Sequence, residues 1–62
     1  MTTYPYSSVQ KIGDHDWMSH IQTDDYEEAK DEAELDHMDH PEYAHGVMDN
    51  ATRTVVFVIE AE

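Results

Sequence analysis

Three histidines lie close together among acidic side chains, at His37, His40 and His45. Imidazole nitrogens and carboxylate oxygens are ligands of zinc and nickel, so these three histidines are candidate metal ligands. Glu34 and His37 also have the Glu-x-x-His spacing that places both side chains on one side of a helix. Di-iron bundles need two copies of that motif, whereas this chain has one. A histidine-rich acidic composition produces such spacings by chance, and we therefore expect no resident metal and no cofactor.

Signatures of other chemistry are missing from the sequence. The 62 residues include no cysteine, no G-x-S-x-G elbow and no phosphate-binding loop. A chain of this length is also too small to enclose a substrate pocket, so we predict that the protein is not an enzyme. Its basic side chains are only three, Lys11, Lys30 and Arg53, which argues against direct binding of nucleic acid.

The segment from Thr23 to Asp39 (TDDYEEAKDEAELDHMD) concentrates the negative charge of the chain. The formal net charge is -12, from 15 acidic and 3 basic residues. An ordinary solvated helix interleaves both signs, because opposite charges three or four residues apart attract. This segment has one lysine, so the pattern favours an acidic surface that recognises a basic partner. The alternative is a solvated face that only keeps the protein soluble.

The composition of this segment predicts an α-helix. Thr23 or Asp24 is a suitable N-cap, and Asp24 with Glu27 fits a capping box. Most of the following residues are strong helix formers, and Pro41 should end the helix near Asp39. From Asp24 to Glu42 a full helix would be roughly 27 Å long, which gives about one carboxylate per 2.7 Å against one charge per 1.7 Å of duplex DNA.

The helical period separates a buried stripe from a charged face. Tyr26, Ala29, Ala33 and His37 fall on one stripe at 100° per residue, and the two alanines would let the helix lie close to a sheet. Lys30 sits near the edge of that stripe. We expect the carboxylates of the helix to point away from it. The candidate partner-binding residues are Asp24, Glu27, Glu28, Asp31, Glu32, Glu34, Asp36 and Asp39.

Two strands are predicted before the helix and two after it. Residues 6–12 and 15–22 have strand-like patterns joined by a Gly13-Asp14 turn, and Trp17, Ser19 and Ile21 should share one face of the second strand. Residues 42–48 form a weaker third strand that contains Gly46, and Asp49-Asn50 is a turn signal. The sequence thus predicts one α+β domain over residues 1–62. In it a small antiparallel sheet of three to four strands packs on one acidic helix, in the order ββαββ.

Residues 53–60 (RTVVFVIE) form the clearest predicted strand. Its apolar side chains would lie on both faces, with Val56 and Val58 opposite Phe57, which predicts a central strand. One helix cannot cover both faces of a sheet. We therefore expect the second face to be covered by a homodimer partner or by a target protein.

Size, charge, the lack of cysteine and the strand–acidic helix–strand order make the chain similar to small acidic inhibitors encoded by phages, namely anti-CRISPR proteins, anti-restriction DNA mimics and inhibitors of RNA polymerase. The resemblance implies a non-enzymatic binder that blocks the nucleic-acid channel of a basic host protein: a CRISPR effector, a restriction enzyme or RNA polymerase. No signal peptide or membrane span is visible in the sequence, and we expect the bacterial cytoplasm. The helix start Thr23-x-x-Tyr26-Glu27-Glu28-Ala29 also resembles HicB-type antitoxins, which implies the alternative of an interaction module that binds through an apolar strand face.

Overall fold

The computed structural model describes residues 4–13 and 16–62. In this part of the chain, four antiparallel strands form one sheet and one helix packs against it, so the predicted α+β class and ββαββ order are confirmed. The elements are β1 (Tyr6–Ile12), β2 (Asp16–Thr23), α1 (Tyr26–Asp39), β3 (His45–Asp49) and β4 (Thr54–Ile59). The order of strands in the sheet is β2-β1-β3-β4, which places β1 and β3 in the centre.

The last strand lies at an edge of the sheet, and the prediction of a central strand was wrong. β4 pairs with β3, where Phe57 stands opposite Val47 and Ile59 opposite His45. Phe57 and Ile59 are half-buried, whereas Val56 and Val58 remain 51% and 42% exposed. The two-sided apolar pattern therefore reflects one covered face and one open face.

Small side chains form the contact layer between α1 and the sheet. Ala29 and Ala33 of the helix are fully buried, as are Ser8 of β1 and Val47 of β3. Their small volume lets the helix lie close to the central strands, as the alanine stripe predicted. Complete burial of one valine side chain contributes about 1.5–3 kcal/mol. Because the core contains few large apolar residues, each of these contacts is important for the stability of a chain of this size.

A β-bulge interrupts the pairing of β1 with β2. Ser8 pairs with Ile21 and the next residue of β1 pairs with Ser19, which leaves His20 as the extra residue. The Ser8 hydroxyl accepts a hydrogen bond from the Ile21 amide at 3.2 Å. The bulge shifts the alternation by one residue. Trp17 and Ser19 therefore share a face, but Ile21 lies on the opposite one, contrary to the prediction.

The two glycines have different roles. Gly13 has a φ of +68°, which confirms that glycine supplies the left-handed conformation at this turn. Its predicted turn partner Asp14 and the following residue His15 lie outside the described residues. Gly46 is extended, and a Cβ atom there would overlap the carbonyl oxygen of Phe57. The close approach of β4 therefore requires glycine at this position of β3.

The helix begins slightly later than the sequence predicted. Its N-cap is Asp25, not Thr23 or Asp24, and the Asp25 carboxylate accepts a hydrogen bond from the Glu27 amide at 3.0 Å. The Thr23 hydroxyl in turn accepts one from the Asp25 amide at 3.1 Å. These two bonds fix the path of the chain from β2 into α1. The C-terminal end at Asp39 is where the sequence placed it.

Candidate functional site

The solvent-exposed residues of α1 form one continuous surface, which we call the helix face. It consists of Glu27, Glu28, Asp31, Glu34, Leu35, Met38 and Asp39. At 100° per residue these positions cover about 140° of the circumference of the helix. The buried stripe of Ala29 and Ala33 lies on the opposite side, flanked by the half-buried Tyr26 and His37. The sequence therefore predicted both the buried stripe and the side on which most of the charge lies.

Two large apolar side chains occupy the middle of the helix face. Leu35 is 58% exposed and Met38 is 77% exposed, and their spacing of three residues makes them neighbours on the helix surface. Single exposed apolar residues are ordinary. This pair is different because carboxylates lie on both sides of it. Sequence analysis missed it, although both residues fall opposite the alanine stripe and that signal was available.

Glu32 and Asp36 do not belong to the helix face, contrary to the prediction that all carboxylates of the helix point away from the sheet. Their side chains are 31% and 23% exposed, and both turn towards β2. His20 Nδ1 lies 2.7 Å from Asp36 Oδ2 and 3.5 Å from Glu32 Oε1. The other predicted partner-binding residues remain exposed. These are Asp24, Glu27, Glu28, Asp31, Glu34 and Asp39.

The spacing of charge on the helix face is wider than the sequence suggested. Fourteen helical residues extend about 21 Å, and the five exposed carboxylates of the face give about one charge per 4 Å. Two acids turn to β2, and three acids of the predicted span lie outside the helix, which explains the lower density; these three are Asp24, Asp25 and Glu42. The new value is near the 3.4 Å spacing of charges along one strand of nucleic acid, and well above the 1.7 Å of a duplex.

His45 is fully buried, and its ring lies between α1 and β1. Its Nε2 is 3.3 Å from Gln10 Oε1, and its Nδ1 is 2.9 Å from His37 Nδ1. His37 Nδ1 also lies 3.1 Å from the Tyr43 carbonyl oxygen. One set of neutral tautomers satisfies these contacts: His45 Nε2–H donates to Gln10, and His37 Nδ1–H donates to His45 and to Tyr43.

This environment affects the protonation of His45. Burial, followed by the neighbouring His37 ring, lowers the pKa of His45 below its usual value. The Asp36 carboxylate and the Tyr43 backbone oppose that shift, and His40 adds a small contribution in the same direction as burial. His45 is therefore held as a neutral, hydrogen-bonded core residue.

The histidines named in the sequence as candidate metal ligands do not form a ligand group in the described residues. Both ring nitrogens of His45 have partners, and His40 lies at the surface, with its Nδ1 3.5 Å from Glu42 Oε1. The group of side chains that does converge with metal-ligand geometry is His20, Glu32 and Asp36. No local spacing in the sequence links His20 to the two helix acids, because the packing of α1 on β2 brings them together.

The face of the sheet away from α1 has a different character, and we call it the open sheet face. It carries Trp17, Met48, Val56 and Val58, together with Lys11, whose Nζ lies 5.9 Å from the centre of the Trp17 ring. Arg53 lines a shallow pocket beside Trp17 and Met48. Two of the three basic residues of the chain therefore lie on or beside this surface.

The helix of the described part of the chain has neither the length nor the apolar composition needed to cross a membrane. Comparison of the chain with protein-family models, with curated proteins and with solved structures finds no match.

Proposed function

We propose that this protein is a non-enzymatic inhibitor from a phage or mobile element, and that its helix face occupies the nucleic-acid channel of a basic protein of the bacterial host. A CRISPR effector, a restriction enzyme and RNA polymerase are the target classes. The observation that carries the proposal is the exposure of five carboxylates around Leu35 and Met38 on one side of a docked helix. The complex would form in the bacterial cytoplasm.

The helix face is held in place before any partner arrives. Ala29 and Ala33 are fully buried against the sheet, Asp25 caps the first turn, and the Tyr26 ring packs edge-on against Tyr6 at 5.5 Å. A fixed scaffold reduces the conformational entropy that binding would otherwise cost. The carboxylates can therefore present a fixed array of anions, which is the property that nucleic-acid mimicry requires.

Electrostatics favour a protein as the partner. A chain with a net charge of -12 is repelled by nucleic acid but attracted to a channel lined by lysine and arginine. Channels that hold single strands also present aromatic side chains on which bases stack. Leu35 and Met38 supply apolar surface among the carboxylates that such aromatic side chains could contact, and methionine sulfur makes favourable contacts with aromatic rings.

The test uses the immobilised protein to capture partners from a nuclease-treated bacterial lysate at low salt. We expect the retained proteins to be released by a single-stranded oligonucleotide, because mimic and nucleic acid would compete for one channel. The variant combines Glu27→Gln, Asp31→Asn and Glu34→Gln. Its matched control combines Glu42→Gln, Glu60→Gln and Glu62→Gln, which removes the same charge from exposed residues outside α1.

The proposal predicts that the control retains the same proteins as the parent and that the helix variant loses them. Equal retention by both variants would show that the helix face is not the binding surface. Retention that the oligonucleotide does not reverse would show that the captured proteins bind elsewhere than in a nucleic-acid channel.

The open sheet face supports a second candidate function, an antitoxin-like or assembly module that binds through apolar contacts. Val56 and Val58 are 51% and 42% exposed on an edge strand, where another chain can dock or add a strand. A second copy of this protein is one such occupant, and light scattering at high concentration measures it. Apolar docking should persist in half-molar salt, whereas binding through the helix face should not.

A further inference from the structure

His20 lies on the face of β2 that is turned towards the helix. Met18, two residues earlier, lies on the same face, so His20 follows the alternation of the strand up to the bulge. On α1, Glu32 and Asp36 are four residues apart and so lie on the same side of the helix. His20 Nδ1 approaches both carboxylates, at 2.7 Å from Asp36 and 3.5 Å from Glu32.

We propose that His20, Glu32 and Asp36 form a binding site for a divalent transition metal of the zinc class. One ligand atom from each residue lies within 4.8 Å of the others. In a tetrahedral zinc site with bonds of about 2.0–2.1 Å, neighbouring ligand atoms are about 3.3–3.4 Å apart. Small side-chain rotations would therefore bring the three atoms to that spacing. One imidazole with two carboxylates suits zinc, manganese or nickel.

A cavity of about 200 Å³ opens beside this group. His20 and Asp36 line it, and so do Gln10, Asp39 and His40. A metal held by three protein ligands has a fourth coordination position, and the cavity beside the group has room for a water molecule that would fill it.

Charge also favours a cation at this place. Glu32 and Asp36 are neighbouring carboxylates of like charge, and His20 compensates for one of them only when it is protonated. A divalent ion would balance both acids and would tie the edge strand β2 to α1. Because the metal replaces a proton on His20 Nδ1, its affinity should fall as the pH is lowered. This inference goes beyond the proposed inhibition and does not depend on it, since neither acid belongs to the helix face.

Calorimetric titration with zinc at neutral pH tests the site. We expect one zinc ion per chain in the parent, and a loss of affinity of at least about tenfold when Glu32→Gln is combined with Asp36→Asn. The matched control combines Glu27→Gln with Asp31→Asn, which have the same four-residue spacing and the same charge on the same helix. That control should keep the parent affinity within about twofold.

A second measurement needs no variant and is therefore independent of any folding defect. Nitrogen-15 spectra of the histidine rings in the parent should show that zinc perturbs His20 Nδ1 before any other ring nitrogen. No binding of zinc, equal loss in both double variants, or a first response at His37, His40 or His45 would each overturn the site. The two proposals can fail independently of each other. The control variant with Glu27→Gln and Asp31→Asn should bind zinc but lose the host proteins, whereas the site variant with Glu32→Gln and Asp36→Asn should retain the host proteins but lose zinc.

Discussion

The helix face and the open sheet face differ in charge and in what supports them. The helix face presents five carboxylates around Leu35 and Met38, and the helix beneath it is anchored by fully buried alanines. The open sheet face presents valines and Trp17 with the cations Lys11 and Arg53 beside them. One molecule therefore offers an anionic surface and an apolar, weakly basic surface on opposite sides of a single sheet.

This difference shows which feature of the helix face is informative. Glutamate is a good helix former, and β-branched apolar residues are preferred in strands, so acids collect on helices even when only solubility is selected. Carboxylates alone are therefore ambiguous. Leu35 and Met38 distinguish the two explanations, because selection for solubility gives no reason to place apolar side chains that are 58% and 77% exposed among the carboxylates. The apolar pair within the acidic surface is what favours a protein partner.

Among the variants, we expect the largest effect on the free energy of unfolding from Gly46→Ala, which disturbs the open sheet face. The new methyl group would overlap the Phe57 carbonyl oxygen, so β4 must move and the open sheet face must distort. We expect a loss of about 3 kcal/mol in the free energy of unfolding. Urea titration followed by Trp17 fluorescence measures it.

Gly13→Ala is the matched control, because no atom of the described residues beyond its chain neighbours lies within 4 Å of the site of its methyl group. Only the positive φ of +68° opposes it, at a cost of about 1–2 kcal/mol. A smaller loss at Gly46 than at Gly13 would contradict the close approach of β3 and β4.

Low pH should weaken the packing of α1 on the sheet, because His45 is buried in the layer between the helix face and the open sheet face. Its pKa is lowered in the folded state, whereas the unfolded chain has the usual value of about 6.5. Below that pH the unfolded state binds a proton that the folded state does not. The contribution of His45 to the free energy of unfolding is therefore full above pH 6.5 and decreases as the pH falls, by at most about 1.4 kcal/mol per pH unit.

Burial and the neighbouring His37 and His40 rings lower the pKa of His45, whereas the Asp36 carboxylate and the Tyr43 backbone raise it. Urea titrations at several pH values, with a chelator present to remove any metal at His20, should give a steeper acid slope in the parent than in His45→Gln. Identical slopes would mean that His45 is not held neutral.

Two double variants compare the faces directly. One combines Leu35→Gln with Met38→Gln on the helix face, and the other combines Val56→Thr with Val58→Thr on the open sheet face. Each pair removes two exposed apolar side chains, and we expect the helix pair to change the free energy of unfolding by less than about 0.5 kcal/mol. It should nevertheless weaken host binding about tenfold, while the valine pair leaves binding unchanged. The opposite ranking would assign binding to the open sheet face. Affinity for the retained host protein is the measurement.

The smallest effect concerns the end of the helix that carries Glu27 and Glu28. Asp25→Ala removes the hydrogen bond to the Glu27 amide and should cost about 1 kcal/mol, with fraying limited to the first turn. Hydrogen exchange of the Glu27 amide reports that fraying. Asp24→Ala is the control, since the structure assigns the cap to Asp25, and equal effects would restore the predicted alternative caps.

The element order and the buried stripe were predictable because local patterns determine them. Helix formers and the two alanines marked α1, and Pro41 placed its end. The position of β4 was not predictable in this way. Apolar residues on both faces indicate a central strand only when both faces are covered, and a sheet with one helix leaves one face open.

The histidine site was beyond sequence reasoning for a related reason. Local spacing drew attention to His37, His40 and His45, whereas His20 meets Glu32 and Asp36 across 12 and 16 residues of chain. That meeting depends on the packing of α1 on β2, a contact between elements that no local spacing encodes. The bulge in β2 is likewise not marked by any residue type, and it is seen only in the pairing of β2 with β1.

The salt dependence of the complex with a retained host protein tests the central claim most directly. Between about 0.05 M and 0.5 M salt, screening should weaken binding through the helix face by at least about tenfold. The variant that combines Glu27→Gln, Asp31→Asn and Glu34→Gln should flatten that dependence, and its control at Glu42, Glu60 and Glu62 should not. An affinity that stays constant over this range would contradict binding through the carboxylates of α1.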